Sequence, residues 1–258
     1  MSTKENYDDY IGNWVKGNNM EMVNHFNYFD STPTNGGGQH RRMPCLILTQ
    51  DQISTLFNSR KHINHLSISL GLGKKEGMPA FCPIIKCWYN ENASEPEAFH
   101  FDAVKASQST LRRKLSESRI PEILAKTLCQ NWMDLESNQL LNVFNRVDNS
   151  LTERVLAYKF RHSEGTAADS ENHRLLSFMN SHLGYIEEFC FYLGVDLNKV
   201  ANRNQFSFSP VIEVILNRKI SDAEVVRLHR EGILTYYNES DDSERAFFEY
   251  ISPCPATC

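Results

Sequence analysis

Residues Asn58–Asn90 read NSRKHINHLSISLGLGKKEGMPAFCPIIKCWYN, and the second half of the chain echoes their pattern. Residues Asn180–Asn217 read NSHLGYIEEFCFYLGVDLNKVANRNQFSFSPVIEVILN. In both stretches an Asn-Ser pair is followed by a Leu-Gly pair and then by Phe-x-Pro-x-Ile. A self-similar pattern of this kind indicates that one structural unit occurs twice.

A second echo lies upstream of the first, where Trp132 follows Trp14 by 118 residues. The identities at this constant spacing are Asn13, Trp14, Asn24, Phe26, Asn27 and Asp30, which recur as Asn131, Trp132, Asn142, Phe144, Asn145 and Asp148. We interpret the chain as a tandem duplication, with repeat one at residues 1–118 and repeat two at residues 119–258. The fused pair would then mimic a homodimer with a pseudo-twofold axis.

The first helix of each repeat is predicted by apolar residues spaced i, i+3, i+4, i+7 and i+8, which form one helical face. In repeat one these residues are Tyr7, Tyr10, Ile11, Trp14 and Val15. In repeat two they are Ala125, Leu128, Cys129, Trp132 and Met133. A short apolar set follows in each repeat, at Met22, Val23 and Phe26 and at Leu140, Leu141 and Phe144. A further short helix is predicted at 51–59 with Ile53, Leu56 and Phe57 inward, and its partner in repeat two, at about 170–183, is longer.

Strands are predicted where apolar and polar residues alternate, as they do over residues 65–72 and again over 188–193. The glycines at 73–77 predict a hairpin turn. Because proline cannot donate to a strand ladder, Pro83 and Pro210 predict strands that lie at an edge or begin near the proline. With strands at 43–48 and 155–160, the pattern predicts an α+β fold. Each repeat would be a mainly antiparallel sheet of about four strands with two or three helices.

The repeated unit resembles a family of short proteins, common in Bacteroidota genomes, for which no activity is known. The residues that carry the resemblance are Trp14, Phe29-Asp30, Leu70-Gly71, Phe81-Cys82-Pro83 and the tail Cys254-Pro255-Ala256-Thr257-Cys258. The resemblance implies a small α+β fold in tandem and carries no activity with it. The Cys-Pro-x-x-Cys tail departs from the duplication because only repeat two has it.

Composition narrows the class of protein. The net charge is −5, which disfavours nucleic acid as a partner. The first ten residues, MSTKENYDDY, lack the cationic and apolar segments of a secretory signal, and no apolar run approaches the length that spans a bilayer. Seven scattered cysteines, an odd number, are typical of free thiols in a reducing cytoplasm.

Cysteine spacing does not predict a metal site. Cys82 and Cys87 lie at odd spacing on a predicted strand, so regular pleating would point them to opposite faces. Cys254 and Cys258 are four residues apart in the tail and lack a second ligand pair nearby in the sequence. We therefore expect no metal and no cofactor, and we interpret the buried cysteines as small apolar residues.

The candidate catalytic residues are His65, His100 and Asp102. His65 and Ser67 share one face of a predicted strand, and His100 and Asp102 share a face of another. If the two faces meet, the cluster could hold a general base. Lone strand histidines are more commonly bystanders, and the Walker, dinucleotide-binding and G-x-S-x-G motifs are absent.

Two functional hypotheses therefore stay open, with a third behind them. The first is a cytoplasmic binding or interaction protein, with an unknown protein or small-molecule partner held in a groove between the repeats. The second is an enzyme with one degenerate repeat and a polar site near His65 and His100. The third is an oligonucleotide- or nucleotide-binding sheet using the aromatic residues Trp88, Tyr89, Phe99 and Phe101, although aromatics at such positions more commonly belong to a core and the acidic net charge disfavours it.

Overall fold

The computed structural model describes the residues that form most of the helices and strands of the chain. They are residues 7–17, 19–30, 39–57, 61–75, 77–89, 95–103, 122–137, 139–148, 151–161, 171–197, 208–216, 223, 226, 227, 230 and 244–249. The predicted linker at 107–119, the Gly36–Gly38 segment and the tail with Cys254 and Cys258 lie outside these residues.

The described helices and strands follow one another in runs, and both halves begin with two helices, three strands, one helix and then further strands. The helices are α1 (Tyr7–Lys16), α2 (Asn19–His25), α3 (Gln50–Phe57), α4 (Glu122–Asp134), α5 (Leu140–Val143) and α6 (Glu171–Ser181). The strands in the first half are β1 (Asn27–Asp30), β2 (Gln39–Arg42), β3 (Cys45–Ile47), β4 (His65–Ser69), β5 (Leu72–Lys75), β6 (Met78–Phe81), β7 (Ile84–Trp88), β8 (Glu97–His100) and β9 (Asp102–Ala103). Those in the second half are β10 (Asn145–Asp148), β11 (Leu151–Arg154), β12 (Ala157–Arg161), β13 (Ile186–Tyr192), β14 (Val211–Leu216) and β15 (Glu244–Glu249).

Two antiparallel sheets form the frame. Sheet 1 has the strand order β12-β4-β7-β8, and sheet 2 has the order β15-β14-β13-β3-β9. Three two-stranded hairpins, β1-β2, β10-β11 and β5-β6, complete the described strands. The α+β class is confirmed by this combination of helices with antiparallel sheets.

Sheet 1 takes one strand, β12, from the second half of the chain, and sheet 2 takes two, β3 and β9, from the first half, which the sequence does not predict. In sheet 1, β12 pairs with β4, with Ala157 opposite Ser69. In sheet 2, β3 pairs with β13, with Cys45 opposite Tyr192. The expectation of one sheet per half is therefore wrong. Alternation reveals which face of a strand is buried, whereas long-range packing decides which strand lies beside it.

The prolines and glycines of the repeated stretch act as predicted. Strands β7 and β14 begin directly after Pro83 and Pro210. Both strands can therefore lie inside their sheets without losing a ladder hydrogen bond to proline. The predicted hairpin turn is present between β5 and β6, where Gly77 has φ of 81°, a left-handed conformation that glycine adopts without strain.

Most of the buried apolar side chains belong to one continuous core between the two sheets. Its centre is aromatic: Trp14 and Trp132 are fully buried and both lie edge-on to Phe144, at ring-centroid distances of 5.0 and 6.1 Å. The stripe predicted for α1 is wrong at Val15, which is 51% exposed. Val15 lies beyond the edge of the face that carries Trp14 into the core.

Candidate functional site

The predicted catalytic residues do not form one cluster. His65 on β4 lies opposite Trp88, whereas His100 on β8 lies opposite Ile84, at the other end of β7. The two histidines are thus two strands and four residues apart. With strands about 4.8 Å apart and residues about 3.3 Å apart along a strand, their Cα atoms are separated by roughly 16 Å. A general base shared between them would need hydrogen-bond contact, which this distance prevents.

His100 and Asp102 do lie together. The Nε2 atom of His100 is 3.7 Å from Oδ1 of Asp102, and the same carboxylate oxygen accepts a hydrogen bond from Lys75. The ring of Tyr7 lies 6.5 Å from the imidazole, measured between centroids. The main chain of His100 is held by Gln52, whose Nε2 donates to its carbonyl oxygen at 3.0 Å. The imidazole of His100 and the carboxylate of Asp102 are thus close to each other, but Lys75 also binds that carboxylate.

A different set of side chains gathers on the outer face of sheet 1. Ser67 in the middle of β4 lies directly opposite Lys86 on β7 and Lys159 on β12. Residues opposite each other in a ladder share a face, so the three side chains form one row. Two residues along, His65 lies opposite Trp88, and their rings stack with centroids 4.5 Å apart and planes at 12°. We call these five residues the basic face.

The long side chains of the basic face are all partly exposed, whereas Ser67 beneath them is 3% exposed. Helix α1 covers the neighbouring end of the sheet. A Cβ placed on Gly71 would lie 3.2 Å from Cβ of Tyr10, and it would lie only 2.5 Å from the carbonyl oxygen of Cys82. Glycine is therefore required where the helix and the strand turn meet. The basic face extends from this covered end toward solvent.

The corresponding row of sheet 2 has the opposite chemistry. Matching the two Leu-Gly pairs and the two Phe-x-Pro motifs places Cys190 at the position of Ser67, Glu213 at that of Lys86 and Ile47 at that of Lys159. Glu213 is 1% exposed and accepts a hydrogen bond from the hydroxyl of Tyr192 at 2.7 Å. A carboxylate and a phenol thus satisfy each other inside the protein.

Helix α4 closes this second face. Its residues Ala125, Leu128 and Cys129 pack with buried residues of sheet 2 in a small apolar cluster separate from the main core. Burial, with Glu213 and Glu188 nearby, raises the pKa of the Cys45 thiol to about 12. Burial also raises the pKa values of Cys129 and of the Tyr192 hydroxyl. The thiols are therefore protonated at neutral pH and do not act as nucleophiles.

The two halves meet through reciprocal contacts of their tryptophans. Trp14 Nε1 donates to the carbonyl oxygen of Val155 at 2.7 Å, and Trp132 Nε1 donates to that of Met43 at 2.8 Å. Both indoles are fully buried. Helices α1 and α4 are thus anchored on the residues that closely precede β12 and β3, two strands that join the sheet of the opposite half.

Two arginines repeat this reciprocity. Arg154 Nη1 donates to the carbonyl oxygens of Trp14 at 2.7 Å and Gly17 at 3.0 Å, at the end of α1. Arg42 Nη1 donates to the carbonyl of Trp132 at 2.9 Å and to that of Leu135, at the end of α4. The guanidinium carbons lie 5.9 and 5.7 Å from the centroids of the two indole rings. Burial lowers the pKa of both arginines.

A recess lies between the halves in the part of the chain that the structure describes, with a volume of about 10 Å³, enough for about one water molecule. Its lining comes from α2, α5 and the adjoining strands, namely Met22, Val23, Phe26, Leu140, Phe144, Asn145 and Arg154. Phe26 and Phe144 are among the residues that line this recess, and the groove for a ligand stays a prediction.

The described part of the chain shows neither a cluster of candidate metal ligands nor a candidate membrane-spanning helix. In the described ranges, no group of three or more histidine, cysteine, aspartate or glutamate side chains is placed to hold a metal ion. Cys82 precedes β7 and Cys87 lies within it, and both are buried as free thiols. No helix in the described part of the chain is long and apolar enough to cross a membrane.

Comparison with known proteins found no matching family model, no matching curated protein and no matching solved structure. The resemblance to the short Bacteroidota proteins therefore stays a prediction. Sequence reasoning missed Lys86, Lys159 and the Tyr192–Glu213 pair as neighbours. The sequence does contain a signal for Lys86, which interrupts the apolar run Ile84-Ile85-x-Cys87. Lys86 alternates with Ile85 and Cys87, so it belongs to the more polar face of its strand, as Ser67 does on the neighbouring strand.

Proposed function

We propose that this chain is a cytoplasmic binding protein built from two duplicated α+β units, residues 1–118 and 119–258. The duplication is supported by the reciprocal contacts of Trp14 with Val155 and of Trp132 with Met43. The described free thiols support a reducing compartment.

The recognition surface in this proposal is the basic face of sheet 1, in place of a groove between the halves. The observation that carries it is the contrast between the two sheets. Where sheet 2 buries Glu213 against Tyr192 beneath α4, sheet 1 presents Lys86 and Lys159 with a stacked His65–Trp88 pair, all partly exposed. Cations and an exposed tryptophan on one face are typical of a binding surface.

The enzyme alternative is supported less well. It was based on His65 and His100 acting together, and they are roughly 16 Å apart by the strand register. What is left of it is the His100–Asp102 pair at 3.7 Å, whose carboxylate also binds Lys75. A histidine, a carboxylate and a lysine in contact are common as a surface ion network.

A thermal-shift screen of metabolites, nucleotides, metals and short peptides tests the binding function. A ligand that binds only the native state at 100 times its Kd stabilises by about 2.7 kcal/mol. We expect at least one compound to raise the Tm of the wild-type protein and to lose this effect in Lys86→Met. The matched control is Lys74→Met, which removes an exposed lysine from β5. Compounds that stabilise all three proteins equally would place recognition elsewhere on the molecule.

The duplicated architecture has a separate test in the two half-chains. Residues 1–118 alone lack β12, and residues 119–258 alone lack β3 and β9, so each isolated half leaves a sheet incomplete. We expect each half to be unfolded or aggregated alone, and the two to give a folded one-to-one complex when they are expressed together. Circular dichroism and size-exclusion chromatography measure this. A folded monomer of either half would contradict the proposed unit.

A further inference from the structure

The row Lys159–Ser67–Lys86 has the geometry of an anion site. The two lysine Cα atoms lie one strand to either side of Ser67, so roughly 10 Å separates them. A lysine side chain with its four methylenes spans more than half of this distance, so both ammonium groups can reach the space above the Ser67 hydroxyl. An anion held in this space would be attracted by both ammonium charges.

The shape of the anion is limited by these donors. Two ammonium groups and one hydroxyl approach from three directions, which suits the tetrahedral oxygens of a phosphate better than a planar carboxylate. Lysine acts as a point charge toward phosphate, without the bidentate geometry that arginine offers to carboxylates. The row therefore favours a phosphate group over an acidic side chain of a peptide.

The stacked pair beside the row adds a second requirement. His65 and Trp88 lie two residues along from Ser67 and Lys86, which is about 7 Å along the strands. Their rings are nearly parallel, at 12°, and both are partly exposed. A flat aromatic surface at this distance from a phosphate fits a molecule in which a planar ring and a phosphate are joined by a short linker.

We propose that the basic face binds a phosphomonoester carrying a planar ring, of which a nucleoside monophosphate is the simplest example. This inference rests on the proposed binding function and names its ligand class. A single nucleotide is favoured over a nucleic-acid strand because the chain has a net charge of −5. In the bound complex the phosphate lies over Ser67, between Lys86 and Lys159, and the ring lies against the stacked His65–Trp88 pair.

Tryptophan fluorescence gives a direct readout on the intact protein. The chain has three tryptophans, and Trp14 and Trp132 are fully buried, so a ring that stacks on the protein surface quenches Trp88. We expect adenosine monophosphate to quench the emission saturably in the wild type and to produce no saturable change in Trp88→Phe. Isothermal titration calorimetry then measures the affinity of adenosine monophosphate, adenosine and inorganic phosphate separately.

The variants Lys86→Met and Lys159→Met should each weaken adenosine monophosphate binding about tenfold or more, and Lys74→Met should leave it unchanged. Methionine keeps the apolar stem, and the melting temperature of each variant checks that the fold is intact. Adenosine should bind at least about tenfold more weakly than its monophosphate, and raising the ionic strength should weaken only the phosphate-bearing ligand.

Several outcomes would overturn this assignment. They are no binding of adenosine monophosphate at millimolar concentration, equal affinity for adenosine and its monophosphate, or binding unchanged in both lysine variants. A short oligodeoxyadenylate that binds more than tenfold tighter than the mononucleotide would replace the proposed ligand by a single strand. If a compound without phosphate instead binds at Lys86, the binding function stands and the phosphate inference is wrong.

Discussion

Replacing Arg42 or Arg154 tests the reciprocal joint between the two halves. Each guanidinium donates two hydrogen bonds to the last carbonyls of a helix in the other half and lies over the indole of that helix. These carbonyls have no partner within the helix, so the arginines act as caps. In Arg42→Met and Arg154→Met, a flexible apolar side chain takes the place of the guanidinium.

The magnitude follows from the contacts that are lost. Hydrogen bonds to a charged donor contribute about 1.5–3 kcal/mol each when shielded, and we take about 1 kcal/mol each because both arginines are partly exposed. The cation–π contact adds about 0.5–1 kcal/mol. Each variant should therefore lose about 2–3 kcal/mol. Because the two environments match contact for contact, the two losses should agree within about 1 kcal/mol.

Urea unfolding followed by tryptophan fluorescence and circular dichroism measures this loss. With a slope of about 2–3 kcal/mol per molar urea, the midpoint should fall by about 1 M in either variant. Lys74→Met, on the exposed part of β5, should change the unfolding free energy by less than about 0.5 kcal/mol. The reasoning is refuted if one arginine costs over 2 kcal/mol while the other behaves like the control.

Three further changes test the packing around the sheets. Gly71→Ala places a Cβ 2.5 Å from a carbonyl oxygen and should lower the free energy of unfolding by about 2–4 kcal/mol. Gly12→Ala, in open space within α1, should raise it by about 0.5–1 kcal/mol, and chemical denaturation measures both changes. Tyr192→Phe removes the hydroxyl that donates to buried Glu213 and should cost about 1–3 kcal/mol, and an unchanged midpoint would show that another donor replaces it. Burial raises the pKa of the Cys45 thiol in the folded state to about 12, above its ordinary value of 9.0. The contribution of this thiol to the free energy of unfolding is therefore fully present below pH 9 and is lost as the pH rises toward 12. Unfolding free energies measured across that range should fall less steeply in Cys45→Ala.

Local pattern predicts the elements well because the physics that makes them is local. The spacing of apolar residues places Ile53, Leu56 and Phe57 on the buried side of α3, and all three are buried. The prolines predict where β7 and β14 begin, since a missing donor is a property of the residue itself. These predictions need no knowledge of the rest of the chain.

Strand neighbours and register depend on distant residues, and prediction from sequence fails there. The period of two in β4 fits any partner strand, so it could not reveal that β12 lies beside it. Register has the same limit. By sequence, Ala98-Phe99-His100-Phe101 resembles Ala246-Phe247-Phe248-Glu249, which matches Phe99 with Phe247. In the ladders, however, Ile85 lies opposite Phe99 and its counterpart Ile212 lies opposite Phe248. Phe247 and Phe248 fit the sequence pattern equally well, and only the strand pairing shows that Phe248 takes the position of Phe99.

The candidate site was missed for the same reason. His65 and His100 share an outward parity, which is all that sequence can show, and the register then places them at opposite ends of β7. Lys86 and Lys159 come from different halves of the chain, so their position on either side of Ser67 exists only because a strand crosses from one half into the sheet of the other.

Fusion of two copies would explain why the two outer faces differ. In a symmetric homodimer any change in one face appears in the other, so both faces must be open or both closed. A single chain that carries both copies is free of this constraint. The outer face of sheet 2 can then be buried, with Glu213 bonded to Tyr192 beneath α4, which favours stability. The outer face of sheet 1 can meanwhile keep its polar groups partly exposed, at some cost in stability. If the halves are two fused copies, the charge reversal between Lys86 and Glu213 is a change that a symmetric homodimer could not keep, and it is the reason to look for a ligand on one sheet alone.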